Sequence, residues 1–236
     1  MTPAIMPAIS LASQPAQFDG AVGFTVAEGK DWSGALSALD AACGGAIKRT
    51  AQAASFDGAK GKTLLVLGAG ADVPARIVLT GLGSDAPSDL DLNKAGASLL
   101  AEIATRGDTT LTLVPHDGSA ASAAALVEGA AMRSYRFDAY RTRLKDDQKQ
   151  SIATLVGACD DPSAAAGLMT DIAGRISGNY LARGLKHGPA NVLYPVAFAQ
   201  RVKDELEPLG VEVTIFDEAR MEKEGWGALL GVGQGS

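Results

Sequence analysis

Residues 191–236 read NVLYPVAFAQRVKDELEPLGVEVTIFDEARMEKEGWGALLGVGQGS and predict a helix, a strand, a second helix and the beginning of another strand. Pro195 suits the first position of the first helix, where a missing N–H costs nothing. Apolar side chains then recur at helical spacing over residues 198–209, and Gly210 is expected to end this helix. The segment therefore begins with an amphipathic helix that has one apolar face.

The remainder of this stretch predicts a strand, a short helix and a further strand. Residues 211–215 alternate apolar and polar side chains, which is typical of a half-buried strand. Asp217 suits the N-cap of a short helix that ends at Gly225, and residues 229–232 look like the start of the next strand. Because Gly-Gln-Gly-Ser follows at once, we expect the sequence to be cut within a domain.

The same residues resemble the leucyl aminopeptidase family, also called the cytosol aminopeptidases. The resemblance is dense at the end of the sequence and looser at a helix and a strand upstream. It is carried by Asn191 and Pro195, by Asp217, Glu218 and Met221, by GWGALLGVGQGS at 225–236, by GAAMRSYRFDAY at 129–140 and by RIVLTGLG at 76–83.

Two departures from the family pattern bear on function. Tyr194 stands where the family usually has a small hydroxyl residue that could cap the following helix. The catalytic motifs of the family, a Gly-Lys-Gly run followed by Asp-Ser-Gly-Gly and an Asn-Thr-Asp-Ala-Glu-Gly-Arg run, do not occur in this sequence. We therefore expect no catalytic, cofactor-binding or metal-binding residue in these 236 residues.

The resemblance implies an α/β fold with three parts. These are a macrodomain-like N-terminal domain with a mixed sheet (1–160), a connecting helix (161–188) and the beginning of an α/β catalytic domain (189–236). For the full-length enzyme it implies release of N-terminal, leucine-preferring residues from peptides. It also implies two divalent metals, manganese or zinc, and a homohexamer. The segment itself is expected to be inactive and to serve domain architecture and assembly.

Composition restricts the partners and the compartment. The sequence is 47% hydrophobic with a formal charge of −6, so nucleic acid is an improbable partner even though some members of the resembled family bind DNA. Cys43 and Cys159 are far apart and form no ligand motif, which suggests reduced thiols in a cytoplasmic protein. No segment has the length of a membrane span, and the N-terminus lacks the pattern of a secretory signal.

The middle of the chain alternates predicted strands and helices, which favours parallel strand pairs with helices on the sheet faces. Strands are expected within 18–26, 63–67, 76–80, 110–114 and 151–157. Helices are expected over 31–47, from the capping box of Ser88 and Asp91, from Ser119 or Ser122, and after Asp161 and Pro162. The buried ridge of the last helix is predicted to comprise Leu168, Ile172, Ile176 and Tyr180.

Each candidate for chemistry has a structural alternative that we favour. The turn from Gly68 to Pro74 lacks the third glycine and crossover helix of a dinucleotide site. His116, beside Asp117, is expected in a solvated turn, and His187 in the last turn of the long helix. Further side chains are interpreted as caps or surface charges: the pairs Asp146–Asp147 and Asp160–Asp161, and the single carboxylates Glu102 and Asp108.

The basic and aromatic segment 133–145 is expected to lie against neighbouring protein rather than nucleic acid. Two further functions stay open. One is a stand-alone macrodomain-like module that binds a nucleotide-type ligand at its strand ends, and the other is a purely structural piece that holds an oligomer together.

Overall fold

The computed structural model describes residues 5–68 and 73–235. It divides into two compact units, Met1–Gly184 and Leu185–Ser236. The first unit contains the whole β-sheet, whereas the second contains only helices and irregular segments among its described residues.

A six-stranded mixed sheet forms the first unit, in the order β1-β6-β5-β2-β4-β3. Of the five strand pairs that the described residues form, only β3–β4 is antiparallel. The mixed α/β sheet is as predicted, but β1 is an addition, because a short uncharged edge strand that follows a proline gives little sequence signal. The strands are β1 (Ala8–Ser13), β2 (Ala21–Ala27), β3 (Thr63–Leu67), β4 (Arg76–Gly83), β5 (Thr110–Val114) and β6 (Thr154–Cys159).

Helices cover both faces of this sheet, and the two larger of three buried clusters lie between the helices and the sheet. One cluster joins the sheet to the third, fourth and fifth helices, and the other joins it to the first two. The predicted helix over 31–47 is two helices, because Gly44 and Gly45 adopt positive φ angles of 60° and 76° between them. The helices are α1 (Gly34–Ala42), α2 (Ala46–Ala53), α3 (Asp89–Ile103), α4 (Ala120–Ser134) and α5 (Ala166–His187).

The predicted caps form where local sequence specifies them. Ser88 and Asp91 make a reciprocal capping box at the start of α3. The Ser119 hydroxyl accepts a hydrogen bond from the Ser122 N–H at the start of α4. Asp161 caps a short 3-10 turn that leads into α5, with Pro162 at its first position.

Two glycines bring α3 and α4 into backbone contact. A Cβ atom at Gly96 would lie 2.0 Å from the Leu126 carbonyl oxygen, and one at Gly129 would lie 1.9 Å from the Asn93 carbonyl oxygen. The Asn93 side-chain amide also donates to the Ala125 carbonyl at 2.8 Å. No larger residue fits either glycine position unless the two helices move apart.

We predict that Gly129→Ala destabilises the first unit by at least about 2 kcal/mol, because an added methyl group would force two packed backbones apart. Gly174→Ala is the matched control, since Gly174 lies in α5 with no atom within 4 Å of the new methyl. The control should be neutral or stabilising by up to about 1 kcal/mol through helix propensity. Urea unfolding of the three proteins measures both changes, and equal stability of Gly129→Ala and wild type would contradict this packing.

Helix α5 is attached to the carboxyl end of α4 by a polar and aromatic cluster. The Tyr180 hydroxyl donates to the Ala131 carbonyl at 2.9 Å and shares a 2.6 Å hydrogen bond with the Ser134 hydroxyl. The Arg183 guanidinium lies 4.0 Å from the centre of the Tyr135 ring and donates to the Met132 carbonyl. These contacts fix the helix that was predicted to connect the two domains.

The buried ridge of α5 is shorter than predicted. Ile172, Ile176 and Tyr180 are buried, but Leu168 is 39% exposed. Leu168 lies in the first turn of α5, before the helix reaches the main cluster. The helix ends at His187, directly before Gly188, as the sequence indicates.

The second unit differs from its sequence prediction in both strands. Its helices are α6 (Pro195–Leu206), α7 (Glu218–Lys223) and α8 (Gly227–Gly233). Residues 211–215 are irregular, and residues 229–232 belong to α8, so both predicted strands are wrong. The backbone N–H and C=O groups of a strand need a neighbouring strand for their hydrogen bonds, whereas those of a helix bond to one another within the helix. The capped helix predicted after Asp217 is confirmed, since its carboxylate accepts from the Arg220 N–H.

Candidate functional site

The carboxyl ends of the parallel strands are the usual place for a ligand in an α/β sheet. Here the loop after β5 is fastened to β2, because the His116 N–H donates to the Thr25 hydroxyl at 2.9 Å. His116 is half-buried, and its Nδ1 atom is buried with no hydrogen-bond partner among the described residues. His116 lies in a turn before α4, as predicted, but its side chain is only partly solvated, because the long-range bond to β2 draws the loop inward.

Asp117 is hydrogen-bonded through its carboxylate to neighbouring residues of its own loop and of α4. Its carboxylate accepts hydrogen bonds from the Ser119 N–H at 3.1 Å, the Ser119 hydroxyl at 3.2 Å and the Ser122 hydroxyl at 2.8 Å. The side chain thus supports the start of α4. It has little remaining capacity for a ligand.

Asp160 lies against the same loop. Gly118 has a φ of +67°, and a Cβ atom there would be 2.5 Å from an Asp160 carboxylate oxygen. The Asp160 N–H donates to the Gly118 carbonyl at 2.9 Å, while the adjacent Asp161 carboxylate accepts from Ser163. The two adjacent carboxylates therefore contact different segments, the Asp160 carboxylate the loop at Gly118 and the Asp161 carboxylate the turn at Ser163. This agrees with structural roles and not with a shared ligand site.

The other candidates are spread over the first unit and over α5. Asp146 accepts from Lys149 at 2.8 Å, and His187 stands in the last turn of α5. Asp108 is not the lone charge predicted, because Arg76 donates to its nearly buried carboxylate at 2.8 Å. Glu102 lies 4.0 Å from Arg106. None of these contacts brings the sequence candidates together into one site.

Over residues 5–68 and 73–235, no group of three or more His, Cys, Asp or Glu side chains could hold a metal ion. In the same ranges, no helix has the length and apolar character that a membrane span requires. Strand β3 is followed by its antiparallel neighbour β4, which fits a plain turn rather than a dinucleotide crossover. The turn after Gly68 lies partly outside the described residues.

A small cavity of about 170 Å³ lies where β4 ends and α3 begins. Its lining includes Glu28, Asp85 and Asp91 with a single cation, Lys60. Lys60 lies 2.7 Å from the Asp91 carboxylate. Hydrogen bonds from Lys60 and then from Ser88 lower the pKa of the Asp91 carboxyl from 3.8 to about 2. The acidic lining makes this cavity unsuitable for phosphate groups.

We predict that Asp91→Asn lowers stability much more at pH 6 than at pH 2. A carboxyl group whose pKa is 3.8 unfolded and about 2 folded stabilises the fold above pH 3.8, and this contribution disappears as the pH falls through 2. Urea unfolding at both pH values measures the difference between wild type and variant. Asp89→Asn is the control, since Asp89 shares the first turn of α3 and makes no ion pair among the described residues. A constant difference from pH 6 to pH 2 would show that the Asp91 charge is not involved.

A second cleft lies at the opposite end of the sheet and has a volume of about 710 Å³. Its lining includes residues 134, 136–139, 141, 142 and 144, at the end of α4 and in the segment that follows it, and residues 149–153, which lead into β6. Arg136, Arg141 and Lys149 contribute cations, and Asp138 contributes a carboxylate. The basic and aromatic segment 133–145 thus forms one wall of this cleft, beyond the helix end at Ser134.

Family models match both units of the chain. The N-terminal domain of the cytosol aminopeptidase family matches residues 21–144, and the catalytic domain of that family matches residues 180–236. The chain belongs to the cytosol aminopeptidase family. The cytosol aminopeptidase resemblance expected from residues 225–236 is thereby confirmed.

Individual relatives agree with this assignment. The chain is 40% identical over 197 residues to a probable cytosol aminopeptidase of Afipia carboxidovorans, covering 82% of this chain and 39% of that protein. It is 40% identical over 211 residues to that of Caulobacter vibrioides, covering 89% and 42%. A solved mutant of tomato leucine aminopeptidase shares the fold at a TM-score of 0.78 and 19% identity, over 93% of this chain and 46% of that one. The chain therefore spans about two fifths of the curated relatives it matches.

Proposed function

We propose that the chain is the N-terminal part of a leucyl aminopeptidase, a di-metal exopeptidase that releases N-terminal, leucine-preferring residues from peptides in the cytoplasm. The proposed domains are 1–160, a connecting helix at 161–188 and the beginning of the catalytic domain at 189–236. In this proposal the segment is not catalytic. It supplies domain architecture and contacts for a homohexamer.

The observation that carries this proposal is the uncovered apolar surface of the second unit. None of its described residues is buried. Large apolar side chains are exposed in α6, in the 3-10 turn that follows it and in α8, with exposures of 66% for Val196, 76% for Leu209 and 77% for Val232. An amphipathic helix that lacks a covered face is stabilised poorly by itself. This surface suits the first layer of a larger domain.

The first unit supports the proposal in a different way. It has two extensive buried clusters of its own, and α5 is joined to α4 by the Tyr180 and Arg183 contacts. A unit with a complete core can hold the start of α5 in a fixed position. The first unit can therefore fold around its own core and fix the start of the proposed connecting helix.

Two divalent metals, manganese or zinc, are proposed for the full-length enzyme only. The described residues do not fit such a centre, because they offer no cluster of three or more suitable side chains. The metal ligands would have to come from other residues of the family's catalytic domain. We therefore assign no step of peptide hydrolysis to a residue of this chain.

We predict that residues 1–236 alone do not hydrolyse leucine p-nitroanilide, with or without added manganese. A chimera that continues residue 236 with the remaining catalytic domain of the Caulobacter vibrioides relative should hydrolyse it, and a chelator should abolish the activity. The same catalytic remainder without residues 1–236 is the control. Activity of the isolated chain would contradict the non-catalytic assignment, and an inactive but folded chimera would contradict the assignment as a leucyl aminopeptidase part.

Oligomerisation of the same chimera tests the proposed assembly. Light scattering after size-exclusion chromatography should give a hexamer, and a monomeric active chimera would exclude an assembly role. A nucleic-acid partner is not proposed, since the chain carries a net charge of −6.

The rival function, a stand-alone macrodomain-like module for a nucleotide-type ligand, is not favoured by the strand-end geometry. The cavity there, about 170 Å³, is below the roughly 300 Å³ at which small-molecule sites begin. Its three carboxylates would also repel phosphates. Calorimetry with ADP-ribose is the direct test, and a saturable heat of binding would support this alternative function.

A further inference from the structure

The cleft beside the carboxyl end of α4 has the size of a ligand site. Its volume of about 710 Å³ lies within the range of roughly 300–1,000 Å³ that is usual for small-molecule sites. Apolar side chains contribute to its lining, among them Pro7, Phe137, Leu144 and Ile152. Ile152 is buried, so this part of the lining is held by the core. The cleft can therefore accept an apolar group of moderate size.

The cations of the cleft are not equally neutralised. The Arg136 Nε donates to the Asp138 carboxylate at 2.8 Å, and the Lys149 ammonium donates to Asp146 at 2.8 Å. Arg141 lies 3.7 Å from the other oxygen of Asp138, too long for a good hydrogen bond. Its side chain is 63% exposed. After these pairs are counted, one positive charge remains, and it is carried by Arg141.

We propose that this cleft binds a small molecule with a single carboxylate group attached to an apolar body. The planar guanidinium of Arg141 presents parallel N–H donors, which suit a carboxylate in bidentate geometry. The apolar body would pack against the lining near Phe137 and Leu144. A polyanion is a poorer match, because the cleft has one surplus cation, Arg141, and the Asp138 carboxylate lies 3.7 Å from it. This site is independent of the proposed peptidase activity.

The test uses the complete 236-residue chain and three probes in calorimetry. N-acetyl-leucine has both the carboxylate and the apolar body, N-acetyl-leucinamide lacks only the carboxylate, and acetate lacks the apolar body. We expect N-acetyl-leucine to bind with a Kd on the order of millimolar, as suits a ligand of about a dozen heavy atoms. The other two probes should bind at least about 10-fold more weakly, since each lacks one of the two recognised groups.

Matched arginine variants locate the site. Arg141→Gln should weaken the binding of N-acetyl-leucine by about 10-fold or more, because it removes a charge-assisted hydrogen-bond pair. Arg143→Gln is the control, since Arg143 lies two residues away and is not part of the cleft lining. It should leave the affinity unchanged.

The proposal is overturned if N-acetyl-leucine does not bind, if N-acetyl-leucinamide binds equally well, or if both arginine variants behave alike. The probe series needs only the wild-type chain, so it decides the matter even if Arg141→Gln fails to fold. N-acetyl-leucine has no free amino group and is no substrate for an aminopeptidase. Failure here is therefore distinct from failure of the chimera to hydrolyse its substrate.

Discussion

The backbone contact between α3 and α4 is the constraint on which the first unit depends. Gly96 and Gly129 let the two helices approach until a methyl group at either position would overlap a carbonyl oxygen. Helix α4 is consequently almost enclosed, with most of its residues buried between α3, the sheet and α5. Its carboxyl end then provides the carbonyl and hydroxyl groups that receive Tyr180 and Arg183. The position of the connecting helix thus follows from how closely two earlier helices pack.

The two units of the chain are stabilised to very different degrees. In the first, buried aliphatic clusters lie on both faces of a six-stranded sheet. In the second, three α-helices and an irregular segment leave every described apolar side chain at least partly exposed. Since burial of apolar area is the main favourable term in folding, only the first unit has a clear source of stability within this chain. The chain spans about two fifths of the relatives it matches, and its residues 180–236 match the catalytic domain of the cytosol aminopeptidase family.

Local hydrogen-bonding patterns could be predicted from the sequence, whereas interactions between distant segments could not. The box of Ser88 with Asp91 and the cap at Asp217 depend on residues three positions apart, and both are present. The strand predicted at 211–215 failed because alternation does not provide a neighbouring strand. At the candidate sites, the bond from His116 to Thr25 and the pair of Asp108 with Arg76 join residues that only the fold brings together. The sequence of the segment 133–145 likewise does not show which of its cations lines the cleft without a close carboxylate, and only the fold identifies Arg141.

Hydrogen–deuterium exchange of the 236-residue chain tests the central claim, that one unit has its own core and the other does not. The account predicts slow exchange of the amides in α4, β2 and β4, which are enclosed by buried side chains. It predicts fast exchange throughout α6, α7 and α8, where no described residue is buried. Protection of residues 195–233 equal to that of α4 would contradict it, and would show that the second unit is stable without any further part of a catalytic domain.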